Sequence, residues 1–216
     1  NLAAGFKGVH IVDFNSIESL KRALTIINPN IADIHPFESL VSGAAACCEL
    51  HIPYVVTVHG PYLNQKYLTA LNNAACVFAV SEEVESHVLS LTSKVKIALL
   101  RNGIDFERFT PVKTGSEKRI AVISRLDPDK IAGIESLLDL LSNIALTIDI
   151  IGKGKAENQL KQKYRTVNFI GHIDDIAGHF KINNGMYYMI AGMGRVALEG
   201  IAMELPVLLL GYDGVK

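Results

Sequence analysis

The sequence predicts an α/β fold with two parallel sheets, and three observations carry this prediction. Short apolar runs rich in β-branched residues alternate with stretches of helical period, which is the pattern of βαβ units. Most runs are apolar almost throughout, as expected of strands covered by helices on both faces. The alternation breaks once, at residues 101–118, where Gly, Pro, Thr, Ser and charged residues replace the apolar period. Two successive βα series joined by a linker follow from this pattern.

The predicted elements alternate along the whole chain. The predicted strands are Gly8–Val12, Ile31–His35, Tyr54–Val58, Cys76–Val80, Val95–Leu99, Arg119–Ile123, Leu146–Ile151, Val167–Ile170, Gly185–Ile190 and Pro206–Leu210. The predicted helices are Ser16–Ile27, Phe37–Leu50, Leu63–Ala74, Glu82–Leu91, Gly133–Leu141, Lys155–Tyr164, Asp175–Asn183 and Gly194–Met203.

The linker divides the chain into two predicted domains, residues 1–112 and residues 113–216. Each half is shorter than the roughly 150 residues of a complete doubly wound domain, so two incomplete domains fit the length better than one complete domain. The first residue is Asn1 rather than Met, and no signal peptide with a basic n-region is present. We therefore expect a fragment of a larger protein.

Composition excludes several classes of protein. Of the 216 residues, 49% are hydrophobic and 20% are charged, which allows a packed core and excludes a disordered chain or a coiled coil. The net charge of −1 argues against a nucleic-acid partner, which would require a basic surplus. No apolar run approaches the roughly 18 residues of a membrane span. The three cysteines form no C-x-x-C pair and are expected to be small buried residues.

Open α/β sheets bind ligands beyond the carboxyl ends of their strands, and several polar residues of this sequence occupy such positions. His59 directly follows the strand Tyr54–Val58, and Gly60 comes next. A histidine in this place can exchange a hydrogen bond with a hydroxyl near neutral pH, or can serve the structure by bonding to backbone. His35 occupies the equivalent position after the preceding strand, where a structural role is favoured.

A second candidate is the loop Ser124–Lys130, which follows the first strand of the second half. Arg125 and Lys130 are its two cations, and a helix begins shortly afterwards. A guanidinium and an ammonium beside a helix N-terminus can clamp a diphosphate. In the alternative interpretation, Arg125 only pairs with a neighbouring aspartate of a solvated loop.

A third candidate joins the strand Gly185–Ile190 to the following helix. Gly192 and Gly194 allow backbone N–H groups to approach an anion at the helix N-terminus. Arg195 and Glu199 stand one helical turn apart, so they share a face and can form an intrahelical ion pair. Because the rest of this helix is apolar, Glu199 should be partly buried and should need a partner, such as a ribose diol.

Other signals are weaker. Gly152-Lys153-Gly154 lacks the third glycine of a dinucleotide fingerprint and indicates only a tight turn. His172 lies on a strand-end loop without metal-ligand spacing, and the remaining histidines form no cluster, so we expect no protein-held metal. The chain contains no nucleophile elbow and no Walker loop.

Taken in order, a series of segments resembles one family, the retaining nucleotide-sugar-dependent glycosyltransferases of family 4, which have the GT-B architecture. The segments are VVTVHGPY, FAVSEEV, RNGIDFERFTP, ISRLDPDKIAGIESLL, IDIIGKG, VNFIGHIDD and GMGRVALEGIAMELPV. The resemblance covers nearly the whole chain from about residue 54. It implies two Rossmann-like domains, an acceptor-side domain followed by a donor-binding domain.

The resemblance also implies roles for the candidate residues. Arg125 and Lys130, with Gly192 and Gly194, would hold the donor diphosphate. Glu199 would bind the ribose hydroxyls, His59 would line the site near the reacting sugar as the catalytic residue, and Arg195 and His35 are further candidates for donor or acceptor contacts. No metal or other cofactor is expected, because the cations and the helix N-terminus take the leaving charge. In such enzymes retention is attributed to front-face attack, with the acceptor proton passing to the leaving phosphate.

Three further expectations follow from the resemblance. The donor would be a nucleotide sugar such as a UDP-sugar. The acceptor would be a carbohydrate or lipid-linked molecule of a cell-envelope polysaccharide. The location would be cytoplasmic, with peripheral association of the full-length protein at the inner face of the membrane.

The sequence also departs from the family pattern. Ala191 stands where the first of two glutamates often occurs, and the glycine-rich loop after the first strand and the last strands are missing. These departures favour, as an alternative, a non-catalytic nucleotide-sugar-binding or scaffold protein of the same fold. A dinucleotide-dependent oxidoreductase is the third possibility, and no G-x-G-x-x-G fingerprint supports it.

Overall fold

A computed structural model describes residues 11–211, apart from the side chain of residue 38. The chain forms two compact units that meet in sequence between Asn102 and Gly103. The sequence placed the boundary later because the segment after Gly103 has the composition of a linker. In the structure this segment packs on the second unit: Phe109 is buried in its core, and the N–H of Val112 donates to the carbonyl of Met203 at 3.0 Å.

The first unit is a parallel sheet flanked by helices. Its elements in chain order are α1 (Ile17–Ile27), β1 (Ala32–Ile34), α2 (Glu38–Glu49), β2 (Tyr54–Val58), α3 (Leu68–Asn72), β3 (Cys76–Ala79), α4 (Glu82–Leu91) and β4 (Ile97–Leu99). The strands lie in the order β1-β2-β3-β4, and every pairing is parallel. The apolar side chains of β2 and β3 form the centre of the core, as the continuous apolar runs predict.

Two predicted elements of the first unit differ in the structure. Of the predicted strand Gly8–Val12, residues 8–10 lie outside the described residues, and Ile11 and Val12 are in no strand. The predicted helix Leu63–Ala74 is a 3-10 turn, Gln65–Tyr67, followed by α3. It starts late because Asn64 has an extended backbone, and its side chain accepts the N–H of Lys66 at 3.1 Å.

The start of α4 shows how local sequence sets a helix boundary. The hydroxyl of Ser81 accepts the N–H of Val84 at 3.3 Å, which satisfies one of the free donors of the first turn. Glu82, Glu83 and Glu85 place negative charge at the positive end of the helix dipole. The predicted helix Glu82–Leu91 is found with these bounds.

The second unit is a five-stranded parallel sheet. Its elements in chain order are β5 (Arg119–Ile123), α5 (Ile131–Leu141), β6 (Thr147–Ile151), α6 (Glu157–Lys163), β7 (Asn168–Gly171), α7 (Ile176–Ile182), β8 (Met189–Gly192), α8 (Arg195–Ala202) and β9 (Val207–Leu209). The strand order is β7-β6-β5-β8-β9. The chain builds outward from β5 on one side through β6 and β7, and then returns to the other side with β8. The point between β5 and β8 is therefore a topological switch point.

The strand β8 begins later and ends later than the sequence predicts. Gly185 has a φ of +82° and belongs to the turn after α7, where the N–H of Met186 donates to the carbonyl of Asn183 at 3.0 Å. The strand continues to Gly192, whose neighbour across the sheet is Leu209 of β9. The glycine-containing loop is therefore short, and α8 starts almost directly after the strand.

A buried carboxylate lies inside the second unit. Asp149 on β6 is fully buried, and it contacts Nη1 of Arg119 at 3.1 Å, Nδ2 of Asn168 at 2.8 Å and the hydroxyl of Tyr187 at 3.1 Å. His179 of α7 extends the network, with Nε2 at 3.1 Å from the Tyr187 oxygen. Most of these buried polar atoms are paired with one another, and the exception is Nε of Arg119, which is buried without a partner. Among the described residues, no helix is long and apolar enough to cross a membrane.

Candidate functional site

Two histidines meet at the carboxyl edge of the first sheet. His35 follows β1 and His59 follows β2, and neighbouring parallel strands end at the same edge. Nδ1 of His35 lies 2.7 Å from Nε2 of His59, and the ring planes differ by 7°. Because the two rings are nearly parallel, the distance between their planes cannot exceed the 2.7 Å between these two nitrogens. Rings stacked face to face would need a larger separation. The rings therefore meet edge to edge, and one nitrogen donates a hydrogen bond to the other.

A carboxylate stands behind His35. Oδ2 of Asp33 lies 3.5 Å from Nε2 of His35, and Oδ1 accepts a hydrogen bond from the hydroxyl of Thr57 at 2.9 Å. Thr57 is buried on β2, so it fixes the carboxylate. Burial and the neighbouring His35 lower the pKa of His59, while the charge of Asp33 opposes this shift. His59 is therefore neutral at neutral pH.

Two aromatic rings flank the histidine pair. The hydroxyl of Tyr62 accepts the backbone N–H of His59 at 3.2 Å, and Phe37 stacks on the Tyr62 ring with centroids 4.7 Å apart. The Tyr62 ring lies so close to Gly60 that a Cβ there would meet it at 2.6 Å. The close approach of the Tyr62 ring therefore favours glycine at position 60. From the sequence alone, Gly60 indicates only a turn.

Lys130 and Met193 connect the loops on the two sides of the switch point of the second sheet. Lys130 is the last residue of the loop after β5, and only 9% of its surface is exposed. Its Nζ donates to Sδ of Met193, in the loop between β8 and α8, at 3.0 Å. A thioether is a weak acceptor compared with an anionic oxygen. The structure thus places a cation where open α/β sheets bind their ligands.

Arg125 lies in the same loop but is held differently. Its Nη1 is 3.2 Å from Oδ2 of Asp127, its Nη2 is 3.9 Å from Oδ2 of Asp129, and 70% of its side chain is exposed. The aspartate pairing that the sequence left open is therefore present. An exposed pair of this kind is weak, worth about 0–1 kcal/mol, so the guanidinium can exchange partners.

The glycines of the β8–α8 connection have distinct requirements. A Cβ on Gly192 would overlap Val196, so this glycine allows the first turn of α8 to close over the strand end. Gly194 has φ +57° and ψ −121°, which is open to glycine and costly for other residues. With these two glycines the chain turns directly from β8 into α8, and the N–H groups of the first turn end at the carboxyl edge of the sheet.

Arg195 and Glu199 form the expected pair on α8. Nη2 of Arg195 lies 3.5 Å from Oε1 of Glu199, and the carboxylate side chain is only 12% exposed. Burial raises the pKa of Glu199, and the charges of Arg195 and Arg108 oppose the shift. Arg108 also pairs with Asp175 at 3.0 Å. The sequence missed Arg108, because its segment looked like a linker.

Ala191 lies one residue before the carboxyl end of β8. It is fully buried within β8, where it pairs with Val122 of β5 and Leu208 of β9. A carboxylate here would point into a close-packed apolar cluster. In this chain the position is therefore part of the sheet core.

A cavity of about 230 Å³ opens at the carboxyl ends of β5, β6 and β7. Its polar side chains are Ser124, Arg125, Lys153 and His172. No complete ligand-binding motif includes Lys153 or His172, and the signal that identifies them is their position, separated by one residue from the end of a predicted strand. Gly152 is needed because a Cβ would overlap the carbonyl of Ser124, so the loops after β5 and β6 run in contact. No metal-binding group of three His, Cys, Asp or Glu side chains occurs among residues 11–211.

Two successive units, each a parallel sheet flanked by helices, fit the GT-B class of fold. Family models match both units: the model described as Glycosyltransferase Family 4 matches residues 6–108, and the model described as Glycosyl transferases group 1 matches residues 117–216. The chain belongs to this family of glycosyltransferases, as the sequence motifs indicate.

Solved glycosyltransferases share the fold. HepE of Anabaena, crystallised with UDP and glucose, is 19% identical with a TM-score of 0.73 over 89% of this chain and 61% of its own. A glycosyltransferase of Rickettsia africae is 18% identical, with a TM-score of 0.70 over 92% and 65%. TarM of S. aureus is 16% identical, with a TM-score of 0.69 over 89% and 44%. The chain thus spans less than two thirds of the length of each. No curated protein matches it significantly.

Proposed function

We propose that the protein transfers a sugar from a nucleoside-diphosphate sugar, such as a UDP-sugar, to an acceptor hydroxyl with retention of configuration. Family membership supports glycosyl transfer, and HepE, of the same fold, was crystallised with UDP-glucose. The observation that carries the proposal is the convergence of Lys130 and the Gly192–Gly194 loop at the switch point, since a cation and helix N-terminal N–H donors both stabilise a diphosphate.

In this proposal the second unit binds the donor. Lys130 holds the diphosphate, Arg125 leaves its aspartates to join it, and the N-terminus of α8 supplies N–H donors through the turn at Gly192 and Gly194. The largely buried Glu199 accepts hydrogen bonds from the ribose hydroxyls, and the charge of Arg195 opposes the rise in the pKa of Glu199 that burial causes. These cations and dipoles take the charge of the departing diphosphate, so the reaction needs no metal.

The first unit takes the acceptor. The bond from the anomeric carbon to the diphosphate oxygen breaks, the bond to the acceptor oxygen forms on the same face, and the acceptor proton passes to the leaving phosphate. His59 contacts the reacting sugar, with His35 beside it. The acceptor is a carbohydrate or lipid-linked molecule of a cell-envelope polysaccharide. The full-length protein works in the cytoplasm, associated with the inner face of the membrane.

A UDP-binding titration tests the donor site. Lys130→Ala and Arg125→Ala should each weaken UDP binding at least about tenfold, equivalent to about 1.4 kcal/mol. The matched controls Lys118→Ala and Arg165→Ala remove exposed cations elsewhere in the second unit and should leave binding unchanged. Unchanged affinity in both site variants would contradict the proposal. The anomeric configuration of the product, read by NMR, tests retention.

The alternative, a nucleotide-sugar-binding protein without activity, started from Ala191 in place of a glutamate. Ala191 is buried within β8, one residue before Gly192, and measured transfer activity decides between the two functions. Donor binding without sugar transfer or donor hydrolysis would still favour this alternative.

A further inference from the structure

The hydrogen bond between His35 and His59 requires an ordered arrangement of protons. At 2.7 Å the two facing nitrogens, Nδ1 of His35 and Nε2 of His59, cannot both carry a proton and cannot both lack one. In the neutral pair, one ring donates and the other accepts. The tautomer of His59 is therefore tied to the tautomer of His35.

Asp33 decides between the two arrangements. Its Oδ2 faces the other nitrogen of His35, Nε2, at 3.5 Å, which is the range of an ion pair rather than of a hydrogen bond. A negative carboxylate favours a proton on the nitrogen that faces it. Thr57 occupies Oδ1 and leaves Oδ2 directed at His35. With its proton on Nε2, His35 presents a bare Nδ1, so Nε2 of His59 carries the donated proton.

We propose that Asp33 and His35 are positioning residues that fix the proton of His59 on Nε2, so that His59 presents Nδ1 to its ligand as a hydrogen-bond acceptor. The functional meaning of this order rests on the proposed function, in which His59 contacts a reacting sugar. An accepting nitrogen draws the proton of a sugar hydroxyl and leaves the electron pairs of its oxygen available. An N–H donor at the same place would occupy one of those pairs.

The order predicts the effect of an isosteric change. In Asp33→Asn the amide oxygen can still accept from Thr57, which turns the NH₂ group toward Nε2 of His35. The NH₂ group disfavours a proton on that nitrogen, so the proton of His35 moves to Nδ1, which becomes the donor, and Nε2 of His59 becomes the acceptor. The variant therefore moves the proton of His59 to Nδ1 without removing a side chain. Glu83→Gln, an exposed carboxylate of the same unit, is the matched control.

The test reads the tautomers directly. Protein labelled with ¹⁵N in its seven histidine rings is examined by long-range ¹H–¹⁵N correlation, with the His59 signals assigned through His59→Gln. We expect His59 protonated on Nε2 in the wild type and in Glu83→Gln, and on Nδ1 in Asp33→Asn. A wild-type His59 protonated on Nδ1, or an Asp33→Asn spectrum identical to the wild type, would overturn the proposal.

A kinetic measurement separates this inference from the proposed function. If His59 accepts a hydrogen bond from the reacting sugar during transfer, Asp33→Asn should lower kcat for sugar transfer about tenfold or more while leaving the donor KM unchanged. If the tautomer of His59 changes in Asp33→Asn as expected but kcat does not, the result supports the ordering of the proton by Asp33 and His35. The same result rejects a role of His59 in sugar transfer. Failure of the tautomer test leaves the UDP-binding test of Lys130 unaffected.

Discussion

The Nζ atom of Lys130 lies 3.0 Å from the Sδ atom of Met193, and this contact joins the loops that leave β5 and β8. These strands are neighbours in the sheet although they are far apart in sequence. The contact therefore depends on the crossover that creates the switch point, and not on local sequence. It brings a buried ammonium to the glycine-containing turn that begins α8.

Asp127→Asn should strengthen UDP binding about two- to fivefold, because the carboxylate competes with the diphosphate for Arg125. The backbone carbonyl of Asp127, which accepts the N–H of Lys130 at 2.8 Å, is retained in the variant. Calorimetric titration at constant ionic strength measures the change, with Asp139→Asn on α5 as the control. Weaker binding in Asp127→Asn would mean that Asp127 positions Arg125 and does not compete for it.

Gly194→Ala should lower the free energy of unfolding by about 1–3 kcal/mol, because its φ of +57° is costly for a residue with a Cβ. Steric overlap does not contribute, since a Cβ there meets no atom within 4 Å. Gly103→Ala is the matched control, because its Cβ also meets nothing within 4 Å and its φ is not positive. Urea unfolding compares the two variants, and equal losses would refute the conformational explanation.

Glu199→Gln should reduce the affinity for UDP about tenfold and the affinity for 2′,3′-dideoxy-UDP much less. The reason is that a carboxylate accepts two ribose hydroxyl protons and an amide accepts fewer. Titration of both nucleotides with both proteins gives the coupling between the side chain and the diol. Equal losses for the two ligands would show that Glu199 acts elsewhere, for example through Arg195.

The second unit should lose stability as the pH falls below the ordinary histidine pKa of 6.5, because burial lowers the pKa of His179. The negative charge of Asp149 raises this pKa but does not cancel the effect of burial. The unfolded chain then binds a proton that the folded chain excludes, so stability is complete above 6.5 and is lost as the pH falls toward the folded pKa.

His179→Gln should flatten this pH dependence. Hydrogen exchange of amides in β5 and α7 measures the pH dependence of stability within the second unit. The pKa of His59 is also lowered, but His59 lies in the first unit, so its effect is not included in this measurement. A pH profile that remains unchanged in His179→Gln would assign the effect to another group.

The sequence predicts elements well where apolar runs are bounded by strong local signals. The strands Tyr54–Val58 and Arg119–Ile123 and the helix Glu82–Leu91 are found with the predicted bounds. Prediction fails where tertiary packing decides. The apolar residues that follow Gly185 predict a strand that includes it, but its positive φ places it in a turn.

The sequence predicts where the candidate site residues lie in the fold better than it predicts which of them contact each other. Strand ends identified His35, His59, Arg125 and Lys130, and the structure places each of them at a carboxyl edge. The bond between His35 and His59 depends on the register between β1 and β2, which one sequence does not reveal. No complete ligand-binding motif includes Lys153 or His172, although they lie at the carboxyl edge of the second sheet with Arg125.

Parallel pairing has a consequence during synthesis. In the first unit, each new strand adds beside the strand made just before it. In the second, one side of β5 pairs with residues about 70 positions later, as Ile120 pairs with Met189. At about 5–20 residues per second, that side of β5 has no partner for on the order of 3–14 seconds. During this interval the nascent chain exposes an apolar strand edge, and this is when a chaperone would protect it from aggregation.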